Sequence, residues 1–165
     1  MKVLVAYHTI TGNTKKIAEA IFETIDTEKE IKKIDLSQDL DEGYDLYFLG
    51  FPMMNFGPNE PSKKFLQENT KGKKIVLFVT HGSPEEVPHL QDWLNNFKNA
   101  VSESELIGMF NCSGKCSQAM LDVLRASGNP EYIKWADGYV PNNLPDEKRV
   151  QKAKDFTKEI MEKFK

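Results

Sequence analysis

The stretch that decides the fold is residues 2–14, KVLVAYHTITGNT. Its first part, Lys2–Tyr7, is short, mostly apolar and followed by a turn-like segment, which predicts a buried β-strand. Helical spacing of apolar residues begins directly afterwards, at Thr14, and continues to Ile25 on one face. A buried strand that leads straight into an amphipathic helix predicts the start of a β–α–β unit.

The same alternation of strand and helix continues along the chain. Further strands are predicted at Ile31–Leu36, Tyr44–Gly50, Lys74–Thr80 and Leu106–Phe110, and further helices at Pro61–Glu68, Leu90–Val101, Gln118–Arg125 and Asp146–Phe164. Strands that alternate with helices predict an α/β protein with a parallel sheet covered on both faces. No linker or repeat interrupts the pattern, so residues 1–165 are predicted to form a single domain.

Composition excludes several classes of protein. With 39% hydrophobic and 28% charged residues, the chain has neither a disordered nor a membrane composition. The apolar start is too short for a secretory signal, which predicts a cytoplasmic protein with no membrane contact. A net charge of −3 without a basic stripe argues against nucleic acid. Cys112 and Cys116 are too few for a disulfide framework and are predicted to be free thiols.

The residue types in the loop Thr9–Thr14 predict a binding site for a phosphate. The loop offers three threonine hydroxyls, an asparagine amide and a glycine at the start of a helix, where unpaired N–H groups and the helix dipole favour a phosphate. A Walker A loop needs a lysine before its Ser/Thr, and the dinucleotide fingerprint needs three glycines; neither is present. The pattern therefore favours a mononucleotide phosphate. A helix cap without a ligand stays open, because these residues are also preferred caps.

Two motifs resemble those of a known family. Thr9–Thr14, TITGNT, resembles the T-x-T-G-N-T phosphate loop of flavodoxins, and Phe110–Lys115, FNCSGK, is similar to the F-x-C-x-G-K segment of one branch of that family. Some members of that branch are associated with bilin reduction. The resemblance implies a flavodoxin-like three-layer sandwich with a five-stranded sheet in the order 2-1-3-4-5. It also implies non-covalent FMN and one-electron transfer to or from a redox partner protein.

The resemblance also implies which residues bind the cofactor. At the phosphate these are Thr9, Ile10, Thr11, Gly12, Asn13 and Thr14; around the ring they are Pro52, Met53, Met54, Asn55, Phe56 and Gly57 on one loop and Thr80, His81, Gly82 and Ser83 on another. Many flavodoxins stack a Trp and a Tyr on the ring from these two loops, and neither residue occurs there in this chain. We therefore expect a more open ring, with room for a substrate or a large partner.

The leading hypothesis is thus an electron carrier in which FMN performs the redox chemistry, with no catalytic side chain and no metal site. One alternative is an FMN-dependent reductase acting directly on a quinone, a nitro compound or a bilin, in which His81 is a candidate proton donor. Another is a flavin-free interaction protein of the same fold. Trp93 is predicted to lie in the core, and Trp135 on an exposed surface or a partner site.

Overall fold

The computed structural model describes residues 1–140 and 142–165. Five strands and six helices follow one another as β1 (Lys2–Tyr7), α1 (Asn13–Thr24), β2 (Glu28–Lys33), β3 (Leu46–Pro52), α2 (Glu60–Asn69), β4 (Lys74–His81), α3 (Leu90–Ala100), β5 (Glu105–Ser113), α4 (Gln118–Ala126), α5 (Pro130–Asp137) and α6 (Glu147–Glu162). None of the helices in these described residues is long and apolar enough to cross a membrane.

The five strands form one parallel sheet in the order β2-β1-β3-β4-β5. Strand β1 lies inside the sheet, so that Val5 is opposite Ile31 of β2 on one side and Phe48 of β3 on the other. This order confirms the predicted flavodoxin-like sheet. Parallel strands need crossover connections, and helices α1, α2 and α3 supply three of the four on both faces, whereas residues 34–45 join β2 to β3 without a helix.

Two hydrophobic clusters cover the two faces of the sheet. On one face, α1 and α6 pack over alternate residues of the strands, including Val3, Val5 and Phe48. On the other face, α2 and α3 pack over the residues between them, including Leu4 and Leu49. Because both faces are buried, the central strands are continuous apolar runs rather than alternating ones.

All the predicted strands and helices are present in the structure, but several of them begin or end at other residues than predicted. Strand β2 covers Glu28–Lys33 rather than Ile31–Leu36. It is an edge strand paired only with β1, so five of its six residues are Lys or Glu and its apolar pattern is weak. Strand β3 begins and ends two residues later than predicted, and β5 runs on to Ser113.

Helix α5 was absent from the sequence prediction, which treated Ser127–Pro130 only as a stop signal. The same residues also start this helix: the Asn129 side chain accepts a hydrogen bond from the Glu131 N–H, and Pro130 occupies the first turn. Helices α4 and α5 pack against each other as a hairpin between β5 and α6. We call residues 118–137 the helical hairpin.

Replacing a fully buried side chain of the sheet should destabilise the fold. Phe48 is 0% exposed between α1, α6 and the sheet, so Phe48→Ala leaves a cavity and is expected to lower the free energy of unfolding by about 3–5 kcal/mol. Val123 on α4 is 47% exposed, and Val123→Ala should change stability by less than about 0.5 kcal/mol. Urea denaturation measures both. Equal effects would contradict this placement of the core.

Candidate functional site

The loop after β1 curls at Gly12, which has a φ of 89°. This left-handed conformation is open to glycine without strain, and it turns the chain into α1. The Gly12 N–H donates to Thr9 Oγ1 at 3.1 Å, which closes the loop on itself. Ile10, Thr11 and Gly12 are all exposed, so the tip of the loop faces solvent.

The N-terminus of α1 has no side-chain cap and no acidic residue in its first turn. Helices α2, α4, α5 and α6 are capped by Asn59, Ser117, Asn129 and Asp146 respectively. The first N–H groups of a helix have no partner within it, and the helix dipole adds positive potential there. The start of α1 is therefore suited to an anion.

Asn13 and Thr14, which were predicted to contact the cofactor, are buried and bind other parts of the protein through their side chains. The Thr14 and Thr80 hydroxyls are 2.8 Å apart and share a hydrogen bond. The Asn13 amide donates from Nδ2 to the Lys115 carbonyl at 2.9 Å and accepts at Oδ1 from the Lys115 N–H at 3.2 Å. Both residues fix the loop against β4 and β5, which leaves their backbone N–H groups for a ligand.

The loop after β3 makes a tight turn. Asn55 and Phe56 have positive φ values of 52° and 65°, an uncommon conformation for residues other than glycine. The Met54 N–H donates to the Gly57 carbonyl at 2.7 Å, and the Met53 N–H to the Thr80 carbonyl at 2.8 Å. Such strained backbone concentrates at functional sites. The turn presents the Phe56 ring, 4.8 Å from Trp93 and 5.8 Å from Tyr132 between ring centroids.

His81, at the end of β4, holds the loop that follows. Its Nδ1 lies 3.0 Å from the Ser83 carbonyl and its Nε2 lies 3.1 Å from Asn111 Oδ1. Burial lowers the pKa of His81 below its usual value of 6.5, although these two hydrogen bonds oppose the shift. The imidazole is therefore neutral at neutral pH and carries one N–H, which it donates to one of these two oxygens. Its contacts fit a role in fixing the loop better than a role as proton donor.

Glu85 ties the same loop to α6. Its carboxylate accepts from Arg149 Nε at 2.8 Å, from Arg149 Nη2 at 3.2 Å and from the Ser113 N–H at 3.1 Å. Arg149 also binds Asp146, the N-cap of α6. Burial alone would raise the pKa of Glu85, but the Ser113 hydrogen bond and the guanidinium lower it below 4.5.

A cavity of about 460 Å³ lies between the loop after β3, the loop after β4 and the helical hairpin, and we call it the aromatic cavity. Its apolar lining is Met53, Phe56, Val87, Trp93, Met120, Leu124, Tyr132 and Trp135, with His81, Gly82, Ser83 and Cys116 among the other lining residues. A narrow cleft of about 40 Å³ connects it to Ile10, Thr11 and Asn13 and shares Met53, His81, Gly82, Cys116 and Met120 with it. The cleft and the cavity thus join the uncapped start of α1 to an apolar space lined by aromatic side chains.

The structure brings together residues of all three predicted loops and adds the helical hairpin, which the sequence analysis did not place at the site. Trp93 and Trp135 both line the aromatic cavity, so Trp93 is not a pure core residue and Trp135 has a defined place. The spacing of Tyr132 and Trp135, about one helical turn apart, was the available signal for this wall of the cavity. Of the two free thiols, Cys112 is buried, which raises its pKa to about 12, whereas Cys116 lines the cavity.

Comparison with known proteins agrees with this fold. The family model for the flavodoxin domain matches residues 4–158. Flavodoxin-like domain-containing protein BilS from Clostridioides difficile is 32% identical over 98% of this chain and 97% of its own length. Oxidised flavodoxin 2 from Bacillus cereus aligns over 99% of both chains with a TM-score of 0.63 and 20% identity.

A flavoprotein from Lactobacillus acidophilus, solved in complex with FMN, aligns over 67% of this chain and 92% of its own, with a TM-score of 0.51 and 21% identity. Both solved structures belong to the doubly wound α/β class and have a flavodoxin-like sheet. The chain belongs to the flavodoxin family.

The Glu85–Arg149 pair should make the stability of the protein sensitive to acid. A carboxylate whose pKa is lowered on folding stabilises the protein above its unfolded value of 4.5, and this contribution is lost as the pH falls through the lower folded value. We expect Glu85→Gln to lower the free energy of unfolding at neutral pH and to flatten its decrease below pH 4.5. Urea denaturation across pH measures this, with the exposed neighbour Glu86→Gln as control. Parallel curves for wild type and Glu85→Gln would refute it.

Proposed function

We propose that this protein binds FMN and transfers electrons to or from a redox partner protein in the cytoplasm. The observation that carries the proposal is the uncapped N-terminus of α1, which opens into a cleft that continues into the aromatic cavity. The family supports a flavin, and the Lactobacillus acidophilus relative with this fold is a complex with FMN. The residues present fit a ligand with a phosphate at one end and a planar ring at the other.

At the phosphate end, the proposed donors are the hydroxyls of Thr9 and Thr11 and the first N–H groups of α1. Apart from Gly12 itself and its two chain neighbours, no atom of the described residues lies within 4 Å of the position that a Cβ at Gly12 would occupy, so this side of the loop is open for a ligand. Asn13 and Thr14 contribute through their backbone, because their side chains are engaged elsewhere. Oriented N–H groups bind a phosphate without needing a charged side chain.

At the ring end, FMN supplies reversible electron transfer, and the protein supplies its position and surroundings. Phe56 and Trp135 offer aromatic faces, and Met53 offers a polarizable sulfur. The backbone of Gly82 and Ser83 lies along the same wall and can hydrogen-bond the polar edge of the ring. Because the His81 imidazole is neutral, it adds no full charge to the field at the ring.

The aromatic cavity favours a second candidate, a reductase that acts on a small planar acceptor such as a quinone, a nitro compound or a bilin. The helical hairpin forms one wall of the cavity, and a concave apolar site suits a small molecule better than the surface of a protein. Oxidation of NAD(P)H separates the two functions. A carrier should oxidise little NAD(P)H in the presence of such acceptors until a reductase is added, whereas the second candidate should oxidise NAD(P)H and reduce the acceptor without any added protein.

Flavin binding can be tested with two matched glycines. Gly12 and Gly43 have φ values of 89° and 90° and no neighbouring atoms within 4 Å of a Cβ, so Gly12→Val and Gly43→Val impose similar backbone strain. Only Gly12 lies in the proposed phosphate loop. We expect Gly12→Val to weaken FMN binding by more than about tenfold, corresponding to ~1.4 kcal/mol, and Gly43→Val to leave it unchanged. Titration followed by flavin fluorescence gives both affinities.

The visible spectrum of the purified protein decides the wider question. We expect flavin absorption that is retained on gel filtration or restored by added FMN. A colourless protein that also fails to bind added FMN would refute the proposal and leave the flavin-free interaction protein. Unchanged affinity in Gly12→Val would show that the phosphate is bound elsewhere.

The position of the ring can be tested through tryptophan emission. The chain has two tryptophans, Trp93 and Trp135, and both line the aromatic cavity. A flavin in the cavity should quench both strongly, because flavins absorb where tryptophan emits. Trp93→Phe and Trp135→Phe should each retain a quenched signal from the remaining tryptophan. FMN binding without a change in emission would place the ring outside this cavity.

A further inference from the structure

Lys115 follows β5 in a segment that is held directly against the loop after β1. The Asn13 side chain bridges to it with both halves of its amide, since Nδ2 donates to the Lys115 carbonyl and Oδ1 accepts from the Lys115 N–H. The backbone at Lys115 offers one acceptor and one donor, which match this amide in one orientation only. The position of Lys115 relative to the start of α1 is thereby fixed by two hydrogen bonds.

Gly114 is required for this close approach. A Cβ at Gly114 would overlap the Asn13 side chain, so a larger residue would push the segment away from the loop. On its other side, the Gly114 N–H donates to the His81 carbonyl at 2.7 Å. The backbone at Gly114 and Lys115 is thus held between β4 and the start of α1, which fixes the point from which the Lys115 side chain extends.

Few acidic groups of the protein are available to balance the positive charge of Lys115. Lys115 lines the same cleft as Ile10, Thr11 and Asn13, and its side chain is exposed. The first turn of α1 has no acidic residue, and within residues 1–140 and 142–165 no carboxylate forms an ion pair with Lys115. A cation at a helix N-terminus is unfavourable by itself because the helix dipole is positive there. A dianionic ligand between the two would reverse that balance.

We propose that Lys115 is a cofactor-binding residue that contacts the phosphate monoester, and that Asn13 positions it. This inference rests on the proposed function and extends it, since it assigns the preference for a phosphorylated flavin to a charged residue outside the T-x-T-G-N-T loop. Riboflavin has the same ring but no phosphate. Its binding should therefore not depend on Lys115.

The experiment compares the dissociation constants of FMN and riboflavin for wild type and Lys115→Met at low and high salt. A hydrogen bond to a charged group corresponds to about a ten- to hundredfold change in affinity. We expect Lys115→Met to weaken FMN binding by that factor, to leave riboflavin binding unchanged and to reduce the salt dependence of FMN binding. Lys115→Arg should retain most of the preference because it keeps the charge.

Lys15→Met is the matched control. Lys15 lies in the first turn of α1 but pairs with Glu19 at 3.7 Å, one turn further from the loop. Like Lys115→Met, Lys15→Met removes one positive charge near the start of α1. Loss of FMN preference in both variants to the same degree would mean that only the general field of the protein matters, and it would overturn the assignment to Lys115.

Asn13→Ala tests the positioning role through a double-mutant cycle. If Asn13 acts by holding Lys115, the double variant should discriminate between FMN and riboflavin no worse than Asn13→Ala alone. Additive losses would overturn this part of the proposal. Urea denaturation checks that each variant folds, and the FMN-to-riboflavin ratio reports on the phosphate even where overall affinity falls.

The outcomes separate this inference from the function on which it rests. Binding of FMN by wild type, with the same FMN-to-riboflavin ratio in Lys115→Met, overturns the role of Lys115 and leaves flavin binding intact. Wild-type protein that binds neither flavin overturns both.

Discussion

The site depends on one feature of the sheet order. The chain steps from β1 to β2 in one direction across the sheet and from β3 to β4 in the opposite direction. The chain leaves β1 through α1 on one face and leaves β3 through α2 on the other, because β2 and β3 lie on opposite sides of β1. Right-handed crossovers in opposite directions open a crevice at the carboxyl ends of these strands. The loops after β1, β3 and β4 all meet there, although they are far apart in sequence.

Buried polar contacts hold these loops at the crevice. The Thr14–Thr80 hydroxyl pair joins the start of α1 to β4, Asn13 joins it to the segment after β5, and Glu85 joins the loop after β4 to α6. Each contact satisfies groups that would be costly to leave unpaired, so the loops have little freedom to separate. The site is therefore built on a rigid scaffold.

The same contacts change how the signature loop is understood. From the sequence, all six residues of TITGNT were equivalent candidates for the phosphate. In the structure, Asn13 and Thr14 have side chains directed to the protein, which leaves the hydroxyls of Thr9 and Thr11 and the backbone of the loop for the ligand. The side chains of one motif thus divide into those that fix the loop and those that stay open to a ligand, and only packing distinguishes the two.

The sequence by itself determined the alternation of strands and helices, the sheet order through its family resemblance, and the loops that form the site. Apolar periodicity and residues such as Gly12 act locally, so they can be read along the chain. It could not determine the limits of the polar edge strand β2, the helical hairpin over the aromatic cavity, or the place of Lys115 beside the start of α1. Those features depend on contacts between residues up to 102 positions apart, such as Asn13 and Lys115, which exist only once the sheet has brought their strands together.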